Sequence, residues 1–200
     1  MLRLAETVTI APPHWPHAPV IRVEQRDKLQ TALALAFPGP ARRDPDRYAV
    51  QIIAGVASGL GGRFFEELRD RRSLAYTVHA FPSSRQLAGT FIAYIATSPA
   101  NEDVARAGLL EEFAKLRDAP VTDEELRRAQ EYAIGTHAIR QQSGGSVLGD
   151  IVDAWLHGPG LGELGEYEAR IRALTPRDLQ AVAEKYFDEG VRVEGIVRGR

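Results

Sequence analysis

The order of patterns along this chain predicts an α+β fold, an antiparallel or mixed sheet packed on one face by helices. Alternating, strand-like segments with helical interruptions come first, helical spacing takes over from Asn101, and a last strand pattern returns at residues 191–197. With 200 residues, 44% of them hydrophobic and 26% charged, the chain is long enough to bury a real core.

Residues 11–19, Ala-Pro-Pro-His-Trp-Pro-His-Ala-Pro, hold four prolines and cannot be helical. They predict an N-terminal linker or extension over residues 1–18, ahead of a single domain at 19–200. Residues 20–24 and 29–37 read as two strands separated by a polar turn. Asp44-Pro45-Asp46 supplies a cap and a first-turn proline to a helix spaced by Tyr48, Ile52, Ile53, Val56 and Leu60. A glycine turn and a short amphipathic helix follow through Arg69. Then come a strand at residues 75–81, a turn at Pro82-Ser83-Ser84, and a strand at residues 87–97.

Val104, Leu109, Phe113 and Leu116 space one helix, which Ala119-Pro120 closes. Thr122-Asp123-Glu124-Glu125 is a capping box that opens a long second helix to about Gln142. Ser143-Gly144-Gly145 breaks it, and residues 147–156 form a third, stopped by His157-Gly158-Pro159-Gly160. A short helix is expected at 166–174, and Thr175-Pro176-Arg177-Asp178 caps another that ends near Phe187. There is no internal repeat and no low-complexity tract.

Composition narrows the function. A formal net charge of −2 gives no global field toward nucleic acid or an anionic membrane. Zero cysteines exclude disulfides, thiolate zinc sites and a cysteine nucleophile. No run approaches the roughly 20 apolar residues that cross a bilayer, and Met1-Leu2-Arg3-Leu4-Ala5-Glu6 lacks the apolar centre of a signal peptide. A cytoplasmic protein without nucleic-acid or membrane partners is the expectation.

Chemistry-bearing motifs are few. The histidines, His14, His17, His79, His137 and His157, include no i, i+4 pair of the kind that holds zinc from one helix face. The chain is therefore expected to bind no metal or cofactor of its own. Gly55, Gly59, Gly61 and Gly62 fit no nucleotide loop, because Phe64 stands where a last glycine belongs and no Gly-Lys-Ser/Thr follows. They read instead as backbone freedom between two helices. No nucleophile elbow is present. Arg69-Asp70-Arg71-Arg72 is a basic cluster without interleaved aromatics, a weak nucleic-acid footprint. On residue chemistry alone, Arg69 and Tyr76, seven residues apart, read as a surface ion-pairing arginine and a packed strand tyrosine.

The wider pattern changes their weight. Gly61-Gly62-Arg63-Phe64-Phe65-Glu66-Glu67-Leu68-Arg69, Leu74-Ala75-Tyr76-Thr77-Val78 and Gly89-Thr90-Phe91-Ile92-Ala93-Tyr94-Ile95-Ala96-Thr97-Ser98-Pro99 stand in order, followed by Val121-Thr122-Asp123-Glu124-Glu125-Leu126. Together they resemble the C-terminal, non-zinc half of the zinc metallopeptidases related to insulinase, pitrilysin and mitochondrial processing peptidase. One departure is Ser73, where that family usually has glycine before Leu-Ala-Tyr.

The resemblance implies a chamber closed by two homologous halves, one carrying zinc on His-x-x-Glu-His and the other lending an arginine and a tyrosine at the positions of Arg69 and Tyr76. On that reading no complete catalytic set lies in this chain, and no activity is expected from it alone. Zinc belongs to a partner domain or subunit, in a homo- or hetero-dimer or a longer chain. The substrate is a peptide bound as an extended strand at a sheet edge. Two other functions stay open. One is an inactive scaffold of the same fold, like the core subunits of respiratory complexes; the other is an unrelated α+β peptide- or nucleic-acid-binding module.

Overall fold

The computed structural model describes residues 10–59 and 61–200; residues 1–9 of the expected linker and Leu60, the expected end of a helix, lie outside the described residues. The strands are β1 (Val20–Gln25), β2 (Thr31–Gly39), β3 (Ala75–Ser84), β4 (Gly89–Thr97) and β5 (Val193–Arg198). The α-helices are α1 (Asp46–Ser58), α2 (Glu102–Asp118), α3 (Asp123–Arg140), α4 (Gly144–Leu156), α5 (Glu163–Arg172) and α6 (Pro176–Tyr186). A π-helix, Phe65–Arg71, stands between α1 and β3. The strands form one sheet in the order β1-β5-β2-β4-β3, with β1 parallel to β5 and every other pair antiparallel. This is the mixed α+β sheet that the sequence predicts.

Strand alternation gives the sheet two unlike faces. Leu33, Leu35 and Phe37 of β2, Phe91 and Ile95 of β4 and Ile196 of β5 point under the helices and are buried. Phe113 of α2 packs its ring among Phe37, Phe64, Phe91 and Phe187, at centroid distances of 4.7, 5.6, 5.9 and 5.1 Å. Each such side chain contributes about 1.5–3 kcal/mol by leaving water, and their tilted and edge-on contacts add to that. The intervening residues, Ala32, Ala34 and Ala36 with Ile92 and Tyr94 beside them, make the opposite face.

The closing strand β5 enters between β1 and β2, so the first two strands never touch. Glu194 is fully buried there; Arg192 donates to it at 2.7 Å, and Arg106 of α2 pairs with it at 2.9 Å. Arg198 forks onto Glu102, at 2.6 and 2.8 Å, which ties the end of β5 to the start of α2. Burying a carboxylate requires such partners.

Several expected boundaries move, each for a local reason. The turn expected at Pro82-Ser83-Ser84 is strand: these residues pair with Phe91, Thr90 and Gly89, and the chain reverses at Arg85–Ala88, where the Arg85 amide donates to the Ala88 carbonyl. Pro82 is tolerated because β3 is an edge strand. Gly144 and Gly145 do not delay α4; Ser143 caps the helix through the Ser146 amide, and the glycines fill its first turn. Helix α5 begins at Glu163 rather than Glu166, because Glu163 is clamped by Arg42 and Arg47. Among the described residues no helix is long and apolar enough to cross a membrane.

The segment between α1 and β3 shows why its glycines and Ser73 matter. Gly61 lies at φ 68°, and a Cβ on Gly59 would fall 2.3 Å from the Gly55 carbonyl oxygen. The π-helix ends as the Leu74 amide donates to the Leu68 carbonyl and Ser73 turns to φ 50°. That left-handed conformation costs an L-residue about 1–2 kcal/mol and glycine little. Ser73→Gly should therefore raise stability by up to about 1 kcal/mol, once the greater freedom of unfolded glycine is subtracted. A higher urea midpoint at unchanged slope is the expected reading; a lower midpoint would contradict the strain.

The predicted capping box is also present, with Thr122 and Glu125 exchanging hydrogen bonds at the start of α3. Arg63 forks onto the same carboxylate at 2.6 and 2.9 Å. The Arg63 hydrogen bonds, with help from the Thr122 amide, lower the Glu125 pKa from 4.5 to about 2. A carboxyl with a depressed folded-state pKa stabilises above the unfolded value and loses that contribution as pH falls through the folded one. Glu125→Gln should cost about 1–3 kcal/mol at pH 7. In thermal melts the deficit should shrink between pH 4.5 and about 2; a pH-independent deficit would mean that the charge contributes nothing.

Candidate functional site

Arg69 and Tyr76 come together at the corner where the π-helix passes into β3. The helix is pinned on three sides. Phe64 and Leu68 are fully buried, Arg63 is forked to α3, and Arg72 bridges Glu67 to Glu111 of α2 at 2.9 and 2.7 Å. Glu67 also accepts from Arg71 at 3.0 Å, so the neighbouring arginines of the basic cluster are occupied. Arg69 is the exception. Among the described residues it has no carboxylate partner, and its guanidinium lies over two rings, 4.2 Å from the centroid of Phe65 and 4.8 Å from that of Tyr76.

Tyr76 reaches that position through a fault in the strand register. Ala75 pairs with Thr97 and Thr77 pairs with Ala96, leaving Tyr76 as the extra residue of a β-bulge. Unbroken alternation would put residue 76 on the same face as Val78 and Ala80, which are buried under the helices. The bulge turns its side chain out instead, 80% exposed. Thr97 fixes the corner by donating from its hydroxyl to the Leu74 carbonyl at 2.6 Å. The phenol has no hydrogen-bond partner among the described residues, so it is free to donate to a ligand.

The histidines are dispersed. His14 belongs to the proline strap, whose Trp15 indole donates to the Val191 carbonyl at 2.6 Å. His137 stacks on Tyr167 at 4.1 Å, and His157 accepts an Arg43 hydrogen bond through its carbonyl. Among the described residues, no group of His, Cys, Asp and Glu is placed to hold a metal ion.

A second polar centre escapes sequence reading. Arg42 forks onto Glu163 and donates to Asp153 at 2.6 Å, while Arg47 reaches Glu163 at 2.5 Å. The Glu163 carboxyl is held below its usual range: burial opposes that, and the Arg42 and Arg47 partners outweigh it. These groups, with His137 and Tyr167, line a cavity of about 320 Å³ between α1, α3, α4 and α5. Burial raises the Tyr167 phenol above its ordinary pKa, partly offset by the Gln51 hydrogen bond. The partners lie more than a hundred residues apart in the chain, so no local signal announces them.

Comparison with known proteins bears on the family and the fold. The family model described as the peptidase M16 inactive domain matches residues 6–132. A protein of Streptomyces coelicolor named as an uncharacterised zinc protease is 28% identical over 159 residues, covering 79% of this chain and 35% of that protein. The solved peptidase M16 inactive domain from Pseudomonas fluorescens superposes with a TM-score of 0.88 at 23% identity, over 97% of this chain and 47% of that one. The inactive peptidase domain solved from Bordetella parapertussis does so at 0.76 and 21%, over 86% of this chain and 93% of that one. The chain thus spans about a third of the Streptomyces relative and about half of the Pseudomonas structure. With its helix-to-strand motifs inside the matched residues, the chain belongs to the peptidase M16 inactive-domain family.

Proposed function

We propose that this domain is the substrate-binding half of a zinc-dependent metalloendopeptidase, working opposite a zinc-bearing half that carries His-x-x-Glu-His. The observation that carries the reading is Arg69 stacked on an outward-turned Tyr76 as well as on Phe65, with neither Arg69 nor Tyr76 having an ion-pair or side-chain hydrogen-bond partner among the described residues. A solvated arginine–tyrosine pair at a bulged strand contributes little to stability, at about 0.5–1 kcal/mol for an exposed cation–π contact. It is well placed to meet a ligand.

In the assembled site, zinc on the partner half would activate the attacking water. The Tyr76 hydroxyl would donate to the substrate carbonyl oxygen as negative charge develops there. Arg69 would hold the Tyr76 ring in place from above and add positive potential beside that oxygen. The outer edge of β3, without a strand neighbour among the described residues, offers backbone groups to an extended peptide.

The test is reconstitution of peptide cleavage with the cognate zinc-bearing half. Tyr76→Phe keeps the ring that Arg69 covers and removes only the hydroxyl, so kcat should fall about 10²–10³-fold, as on losing one oxyanion donor. Arg69→Ala should lower kcat/KM by a comparable order. Thermal melts of both variants should match the parent. Parental rates from both would remove the assigned roles.

A further inference from the structure

The polar cavity of about 320 Å³ between α1, α3, α4 and α5 is a built site that the proposed peptidase chemistry leaves unused. Its size falls at the small end of natural ligand pockets, which run from about 300 to 1,000 Å³. Three arginines line it, Arg42, Arg47 and Arg140, against three carboxylates, Asp150, Asp153 and Glu163, so their formal charges cancel. Helix α4 gives both of its charged residues, Asp150 and Asp153, to this lining and leaves Leu148 and Trp155 exposed on its other side, at 61% and 68%. A helix placed for stability alone would do the reverse.

Charge balances in this cavity, but hydrogen bonding does not. Both Glu163 oxygens are taken by Arg42 and Arg47, and the two Asp150 oxygens by Arg140 and Gln141, at 3.0 and 2.8 Å. Asp153 accepts from Arg42 through Oδ2 alone. On the donor side, Arg47 and Arg140 each commit only Nη2 and leave Nε and Nη1 without a partner among the described residues. The Tyr167 hydroxyl accepts from Gln51 at 2.6 Å, and burial raises its pKa, which keeps its own proton in place to be donated. His137, stacked on the Tyr167 ring at 4.1 Å, has neither ring nitrogen engaged among the described residues. The unpaired atoms of Arg47, Arg140 and His137 are not sealed from solvent. The surplus is one of donors, with two acceptors left beside them, Asp153 Oδ1 and Gln51 Oε1.

We propose that this cavity binds a small zwitterion, a free α-amino acid or dipeptide with uncharged side chains. A carboxylate offers only acceptors, and Arg47, Arg140 and the Tyr167 hydroxyl supply charge-assisted donors for it. An ammonium offers only donors, and Asp153 Oδ1 and Gln51 Oε1 are the acceptors left to receive it. A zwitterion keeps the charge of the site at zero, whereas a simple anion would leave net negative charge beside three carboxylates. An uncharged side chain would lie against Leu164 and Ala133, the aliphatic part of the lining. Arg47 is already fixed for the task, held over the Tyr48 ring at 4.3 Å and paired with Glu163, so binding orders little. The site shares no residue with the Arg69–Tyr76 corner, and it stands or falls apart from the proposed function.

Calorimetric titration of the chain with L-leucine and with glycyl-L-leucine should give saturable one-to-one binding, and the bound ligand should shift the His137 side-chain resonances. N-acetyl-L-leucine, which lacks the ammonium, and L-leucinamide, which lacks the carboxylate, should each bind at least about tenfold more weakly, as on losing one charged hydrogen-bonding group. Tyr167→Phe keeps the ring on which His137 stacks and removes only the hydroxyl; it should weaken L-leucine about tenfold. Arg140→Gln, at a mostly exposed side chain, should do the same, and both variants should melt close to the parent. No saturable binding of any of these ligands to the folded parent would overturn the inference. So would inorganic phosphate or acetate binding as tightly as L-leucine, which would make the cavity a plain anion site. Parental affinity in both variants would put the ligand elsewhere and overturn it equally. None of these outcomes bears on cleavage after reconstitution, which Tyr76→Phe tests separately.

Discussion

The two-residue period of the β-strand is the constraint on which the candidate site depends. Residues 77, 79 and 81 of β3 face away from the helices and 78 and 80 face them, so residue 76 is owed to the interior. A tyrosine facing that way would need a buried partner for its hydroxyl. One unpaired residue, inserted against Thr97 and Ala96, cancels the debt. Just before it, the chain passes from the π-helix to the sheet through Ser73 in a left-handed turn. The bulge, the strained serine and the wide helical turn before them are one adjustment, and its result is a guanidinium lying over an exposed phenol.

The remainder of the fold holds that corner still. Phe113 gathers four other phenylalanines under the sheet. Phe64, one of the four, is the residue from which the π-helix starts. Packing at core density transmits position, so the helix cannot shift without moving this cluster. The far side of the sheet is built to the opposite specification. Ala32, Ala34 and Ala36 run down β2 in register with Val197, Gly195 and Val193 on β5, small residues that leave the surface shallow. Beside them on β4 stand Ile92 and Tyr94, so the small residues are confined to the β2–β5 part of that face.

Much of this was legible in the sequence, and the reasons are specific. Alternation from Leu33 to Phe37 and the capping box at Thr122 are local signals, and local structure obeyed them; at α1 the helix starts at Asp46, with Pro45 outside it and Asp44 accepting from the Asp46 amide. Arg69 and Tyr76 were legible only as a spaced pair within a larger pattern. Their stacking depends on a bulge, and Leu-Ala-Tyr-Thr-Val alone does not distinguish a bulged strand from a regular one. The turn placed at Pro82-Ser83-Ser84 failed because composition favoured a turn while pairing with β4 favoured strand, and pairing won. The position of β5 between β1 and β2 was beyond local reading, since it is decided by Glu194, Arg106, Glu102 and Arg198 meeting across the molecule.

Helix α4 shows how a correct pattern can carry the wrong inference. The spacing of Leu148, Ile151, Val152, Trp155 and Leu156 rightly announces an amphipathic helix, and the usual inference sends that stripe inward. The direction is decided by Asp150 and Asp153, whose partners Arg140 and Arg42 wait on the body of the domain. Two half-buried ion pairs outweigh a whole apolar face only if that face is not left in water in the working molecule, because surface ion pairs seldom exceed about 1 kcal/mol each while a single buried Leu or Ile contributes more. Arg42 joins α4 to α5 by pairing with both Asp153 and Glu163, and Arg47 ties Glu163 to α1.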